Sequence, residues 1–469
     1  MLAHNNRLQQ KKTIRQPNAL LQLIALALGA VMAILDVTAV NVALNSIDND
    51  LKIGMSGIMW VADGYTFAYA ALLFLGAAFS TRYGSKLTYL CGLTIFLIAS
   101  AFCAIAPNGT FLILARLLQG VGAAIFTPSA LSSIADNYRD RDERSKAMSR
   151  WISIVSIAAV LGPLLSGILI HINNWRLIFL VNVPIGIVAL FLTSHYVQKG
   201  IGKSLAKINP ASHAMLAICL GSICFSLIEG ARLGWTSLPI DASAFLAFAS
   251  AIVLFKLESR SLVPIFPVTL LSKPGYVPAL AAFTALSLTF YGQLFVVSIM
   301  MQKEMAYSPL DIGIRLLPAM AIISPANLAS GYLSRRVGIN FSCSVGLIIS
   351  IVGALLLIKL EQDSSPWLFI VGMVLANLGN GLTAPALTLA IMHRAIPDYS
   401  DIASGMLNFG RQIGVLLGIA FMGIIIGTIS EWNKSYITCF TFVILVHLIT
   451  FALVLFIPSG EEPQAWEAK

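Results

Sequence analysis

Charge is what this chain has least of. Asp, Glu, Lys and Arg make up 11% of its 469 residues, against about 25% in soluble domains. So little charge cannot cover a soluble surface. With 58% hydrophobic residues and a mean hydropathy of +0.84, the chain reads as a polytopic membrane protein. Cysteine is scarce as well: Cys91, Cys103, Cys219, Cys224, Cys343 and Cys439 all fall in apolar stretches without C-x-x-C spacing, which argues for packing and against zinc or redox chemistry. The six histidines show no ligand spacing, so a metal site is not expected. Gly202-Lys203-Ser204 resembles the end of a phosphate-binding loop, but Val197 stands where its first glycine belongs, which argues against an ATP-driven pump. No Ser/His/Asp constellation suggests an enzyme. A polytopic sensor or membrane enzyme would need an ordered soluble domain or a catalytic cluster, and the longest loops supply neither.

What the chain does have is long apolar runs. Fourteen lie near 20–44, 57–80, 87–106, 111–135, 148–170, 177–197, 211–231, 240–257, 276–301, 312–333, 341–358, 367–391, 402–428 and 436–457, lengths suited to helices that cross a bilayer. The loops between them alternate sides. Twenty-one Lys and Arg fall on one side and seven on the other, with Arg116 and Arg411 inside spans. The positive-inside rule places the richer side, and with it both termini, in the cytoplasm. The net charge of +9 is then topology, not a nucleic-acid footprint. Residues 1–17 are polar and basic, and the next span is too long for a signal-peptide core, so it is expected to stay as a signal anchor. The predicted division is an all-α chain with a cytoplasmic tail over 1–19, a six-helix bundle over 20–197, two inserted helices over 211–257, a second six-helix bundle over 276–457 and a cytoplasmic tail over 458–469.

An internal repeat supports two related halves. Arg82-x-Gly84 after span 2 recurs as Arg336-x-Gly338 after span 10, both members shifted by 254, in loops that are equivalent once spans 7 and 8 are set aside. Duplicated bundles are typical of secondary transporters.

Asp36 sits inside the first span, where an aspartate costs about 2.5–3.5 kcal/mol on insertion scales. Asp63 and Arg116 are read at the same depth, roughly 8–12 Å below the outer face, where a guanidinium can share charge with two acids. Asp36 is read as a proton site with Arg116 as its electrostatic partner; the other reading is a permanent ion pair holding spans 1, 2 and 4. Asp63 stays open between a proton site and an outer vestibule. Gly162, Pro163 and Gly167 in span 5 form either a kink or a pliable seam between bundles. Candidates for a substrate cavity are Asn41, Tyr291, Gln293, Asn377, Asn408 and Arg411. Arg411 lies mid-span with no acid of the second half at its depth, so it either satisfies backbone carbonyls or lines the cavity. Asn377 and Asn380 are expected to bond between helices. Glu229 is expected at the outer interface.

Several of these segments together resemble one family. Leu35-Asp36-Val37-Thr38-Ala39-Val40-Asn41-Val42-Ala43-Leu44, Leu112-x-x-x-Arg116-x-x-Gln119-Gly120-x-Gly122, Ala158-x-x-x-Gly162-Pro163-x-x-Ser166-Gly167, Trp175-Arg176-x-Ile178-Phe179-x-x-Asn182-Val183-Pro184-Ile185-Gly186 and Tyr307-Ser308-Pro309-Leu310 with Gly313-x-Arg315-Leu316-Leu317-Pro318 are similar to motifs of the fourteen-span drug:proton antiporters (QacA/EmrB-like) of the major facilitator superfamily. The resemblance implies that fold, proton-driven export of amphipathic or cationic small molecules, Asp36 and Arg116 in proton coupling, Gly162-Pro163 and Gly167 as the antiporter motif, and Arg82, Gly84 and Lys86 as the gating loop. It also implies no cofactor beyond the proton gradient, contact with membrane lipid, a bacterial inner-membrane location, and a periplasmic adaptor as an optional partner. Uptake or export of one specific metabolite is the alternative. The gating loop departs from the family's pattern: Ala77, Thr81 and Ser85 replace Gly, Asp and Arg, and Arg335 stands for the acid in the second copy.

Overall fold

In a computed structural model, residues 19–138, 140–172, 174–200, 202, 209–261, 264–359, 366–395 and 399–458 are described. Both tails, most of the linker around Lys203 and Lys207, and Arg139 lie outside these residues, together with the basic charges they contribute.

Among the described residues the chain is helical, without strands, and fourteen helices are long and apolar enough to cross a membrane. In chain order, spans 1 to 8 are Leu20–Leu51, Gly54–Tyr83, Ser85–Ala104, Gly109–Asn137, Lys146–Ile172, Leu177–Tyr196, Pro210–Leu233 and Leu238–Glu258. Spans 9 to 14 are Tyr276–Lys303, Pro309–Val337, Ile339–Ile358, Trp367–Arg394, Ile402–Thr428 and Trp432–Leu455. Local chemistry sets several ends. Asn108 caps span 4 by accepting from the Phe111 amide, and Asn209 does the same for Ser212 ahead of Pro210. A capping box of Ser308 and Asp311 opens span 10. Span 10 breaks at Ile322 into Pro309–Ala321 and Ile323–Val337. Pro318 and Pro325 explain the break, since each removes an amide donor and crowds the carbonyl four residues back.

The two halves repeat in detail. Gly84 and Gly338, the shifted pair of the repeat, both end a helix with nearly the same backbone (φ +94 and +90, ψ 143 and 160), a conformation open essentially to glycine. Gly92 of span 3 lies against Gly122 of span 4, and Gly346 of span 11 lies against Gly379 of span 12 in the same way. Small residues let these pairs of backbones touch. Spans 1 to 6 and 9 to 14 thus form two six-helix bundles. They meet where span 2 packs on span 13, span 5 on span 10 and span 1 on span 9.

The inserted spans are peripheral. Span 7 packs on spans 2 and 13, and span 8 packs mainly on span 7. Phe245, Phe248 and Phe255 of span 8 are exposed, an apolar face suited to lipid. Glu229, four residues from the end of span 7, is 6% exposed. Its carboxylate accepts from Ser56 Oγ and Trp60 Nε1, both at 2.8 Å, and from Arg232 Nε at 2.6 Å, so it fastens span 7 to span 2. Glu229→Ala leaves a half-buried indole and hydroxyl without their acceptor, and a loss of about 1 kcal/mol is expected. Thermal unfolding of the purified protein reads that loss; an unshifted midpoint would mean that the inserted pair is held elsewhere.

Candidate functional site

The centre of the first bundle is built on span 4. Arg116 and Gln119 are three residues apart, so both side chains leave one helix face. The Arg116 side chain is fully buried and donates through Nη1 to Asp36 Oδ2 and to Gln119 Oε1, and through Nε to the Val61 carbonyl at 2.9 Å. Gln119 closes the ring: its Nε2 donates to Asp36 Oδ1 at 2.9 Å and to Ser100 Oγ at 3.0 Å. The guanidinium also lies 4.7 Å from the Tyr65 ring and 5.6 Å from that of Phe179. Both carboxylate oxygens are therefore bonded, which is what makes a buried charge pair tolerable. Gln119 stands in the span-4 motif, and its three-residue spacing from Arg116 was the available sign of its part in the ring.

Asp63 does not join this ring. It is 0% exposed, and neither carboxyl oxygen has a hydrogen-bond partner among the described residues. Rotation separates it from Arg116: Val61 and Tyr65 face Arg116, and Asp63 is about 200° around the helix from Val61. It lies near Cys224 of span 7, on the face where Ser56 and Trp60 bond Glu229 and Phe67 meets Gly221.

The antiporter motif touches the ring's own helix. A Cβ on Gly162 would come within 1.9 Å of Thr38 Oγ1, two residues from Asp36, and Ser166 donates to the Ala39 carbonyl at 2.8 Å. One turn on, Gly167 meets the Pro309 carbonyl, while Gly313 of span 10 meets that of Pro163. Span 5 is wedged between span 1 of one bundle and span 10 of the other, backbone against backbone. The motif after it serves a simpler end: Trp175 Nε1 and Arg176 Nη1 both donate to Asp50 Oδ2, tying the end of span 1 to the start of span 6.

In the gating loop, Gly84 sits against the Gly200 carbonyl and Lys86 donates to the Ser194 carbonyl at 2.7 Å. Ser85, where the family pattern has arginine, donates to Asp136 Oδ2 at 2.6 Å. Thr81 bonds back to Ala77 of its own helix, and Arg82 is exposed over the Tyr83 ring. These contacts stay within the first bundle. Between the bundles at this end lie three mutually packed rings, Phe74, Phe409 and Phe266, with centroids 5.4–5.7 Å apart. Phe266 belongs to the linker before span 9. It is held there because Glu258 accepts from the amides of Ile265 and Phe266.

The candidate cavity residues divide. Asn41 lines a cavity of about 10 Å³ together with Val37, Val40, Ala62, Thr66, Arg116 and Ile419, room for a single water. Arg411, Asn408 and Tyr291 are half-buried between the bundles. Gln293 and Asn377 are not: both are 2% exposed, with Gln293 Nε2 on Met373 Sδ and Asn377 Nδ2 on the Ala319 carbonyl. Asn377 thus makes the expected interhelical bond, whereas Asn380 has no partner among the described residues.

Residues 26–419 match the Major Facilitator Superfamily. The methylenomycin A resistance protein of Bacillus subtilis (strain 168) is 39% identical over 412 residues, covering 87% of this chain and 88% of that protein. The multidrug resistance protein Stp of Mycobacterium tuberculosis (strain CDC 1551 / Oshkosh) is 32% identical over 407 residues, covering 86% of this chain and 75% of its own. Among solved structures, a peptide transporter POT in complex with sulfate aligns with a TM-score of 0.70 over 96% of this chain and 98% of its own, at 16% identity, a likeness of fold.

Proposed function

Because the chain belongs to the Major Facilitator Superfamily, we propose that it exports amphipathic or cationic small molecules in exchange for protons, by opening a central chamber to either membrane face in turn. The proton gradient is the energy source and no cofactor takes part. The relatives' names, resistance to methylenomycin A and multidrug resistance, support export over uptake.

One observation carries the coupling: the Asp36–Arg116–Gln119 ring sits two residues from Thr38, the side chain on which Gly162 rests. As a carboxylate, Asp36 joins span 1 to span 4 through two acceptor oxygens. As a neutral acid it gives up its charge on Arg116 and loosens that joint. Span 1 also supports span 5, and span 5 touches span 10 of the other bundle. A proton on Asp36 thereby biases the element that must shift when the chamber changes sides.

Everted membrane vesicles with an imposed pH gradient and a panel of dyes and drugs test the reading. Export predicts accumulation driven by an acidic lumen; gradient-driven loss of a loaded solute would mean uptake instead. We place the protein in the bacterial inner membrane with both termini in the cytoplasm, on the 21-to-7 charge division. Arg144 is exposed at the start of span 5. Arg144→Cys should react with an impermeant maleimide in everted vesicles and not in intact cells; the reverse pattern would invert the topology.

A further inference from the structure

At mid-depth on span 13 a guanidinium stands without an acid. Arg411 lies 11 residues into its helix, about 16 Å from the end, and Gly410 and Gly414 lock that helix onto Thr284 of span 9. Its Nη2 donates to Asn408 Oδ1 at 2.7 Å. No carboxylate lies within ion-pair distance of it among the described residues: Asp36 is taken by Arg116, and Asp63 faces span 7. A guanidinium carries five donors, and one without a counter-ion is expensive to keep at this depth. Spans 2 and 9, which carry Tyr65, Tyr69 and Tyr291, both pack on span 13, and the Tyr65 and Tyr69 rings are 6.0 Å apart. The Tyr65 hydroxyl is buried and has no partner among the described residues.

We propose that Arg411, with the hydroxyls of Tyr65, Tyr69 and Tyr291, binds the anionic head group of an amphipathic substrate. The missing counter-ion is supplied by the cargo. Planar, bidentate acceptors such as carboxylates and sulfonates suit a guanidinium fork. This names a substrate class for the exporter proposed above and rests on that reading.

The test is binding of naphthalene-2-sulfonate, an anion at every working pH, against its neutral amide of the same shape, to the full-length protein in lipid nanodiscs. The sulfonate should bind about tenfold tighter or more, as a charge-assisted hydrogen bond gives. Arg411→Gln should erase that preference, Arg411→Lys should keep part of it, and Tyr69→Phe should reduce it in a chain that retains the arginine. Equal binding by the native protein, or a preference that survives Arg411→Gln, overturns the assignment. Proteoliposomes separate this from the export reading. A sulfonate preference without pH-driven accumulation keeps the anion site and removes the exporter. Proton-driven ethidium transport that Arg411→Gln leaves untouched, with no sulfonate preference, keeps the exporter and removes the site.

Discussion

Asp36→Asn is expected to reduce pH-gradient-driven transport to background while leaving membrane insertion and substrate-for-substrate exchange in place. Asparagine keeps the shape of the carboxylate and one acceptor for Arg116, but it cannot change charge. The protein is then held permanently near its neutral-acid form, able to move cargo down a cargo gradient and unable to draw on protons. Stability should fall by less than the roughly 3–5 kcal/mol of breaking a buried pair outright, because Gln119 still bonds both Arg116 and position 36. Thermal unfolding of the purified variant measures the second effect and proteoliposome transport the first. A variant that still accumulates cargo against its gradient would remove Asp36 from the proton path.

Gly162→Leu is the other change with a large expected effect. No space exists for it: even a first carbon would overlap Thr38 Oγ1 at 1.9 Å. Thr38 cannot simply turn away, since its hydroxyl is bonded to the Ile34 carbonyl at 2.9 Å. Span 5 must move off span 1, and with it the contacts of Gly167 and Pro163 on span 10. Overpacking of this kind typically costs about 1–3 kcal/mol. Insertion should be near normal, as leucine favours the bilayer, and transport should be lost. Normal transport at normal yield would reduce the motif to an ordinary kink.

Much of this arrangement is legible in the sequence where a residue's cost or its backbone needs are extreme. An aspartate and an arginine at membrane depth require each other, and Asp36 and Arg116 are paired. The repeated Arg-x-Gly points to two equivalent turns, and Gly84 and Gly338 share one glycine-specific conformation. Tyr307 and Arg315 stand in one motif, and their side chains stack at 4.3 Å behind the Ser308 capping box. What fails is what depends on rotation and on long-range packing. Depth alone placed Asp63 with Arg116, but the turn of span 2 points it to span 7. Gln293 and Asn377 carry polar groups suited to a cavity, yet both face the interior of the second bundle. Phe266 is invisible to periodicity because it lies in a linker, positioned by a glutamate eight residues away. Arg411 was identified as a cation without an acid; that the spans carrying three tyrosines of two bundles pack on its helix emerged only from the fold.

The double variant Asp36→Asn/Arg116→Gln tests most directly whether the proton travels on Asp36 or the pair merely holds helices together. Removing both charges relieves the unpaired arginine, so yield and thermal stability should return toward the native protein. In proteoliposomes under a pH gradient the double variant should still exchange substrate for substrate and should accumulate none. Restored gradient-driven accumulation would make the pair structural and move the proton to another acid, with Asp63 the next to be replaced.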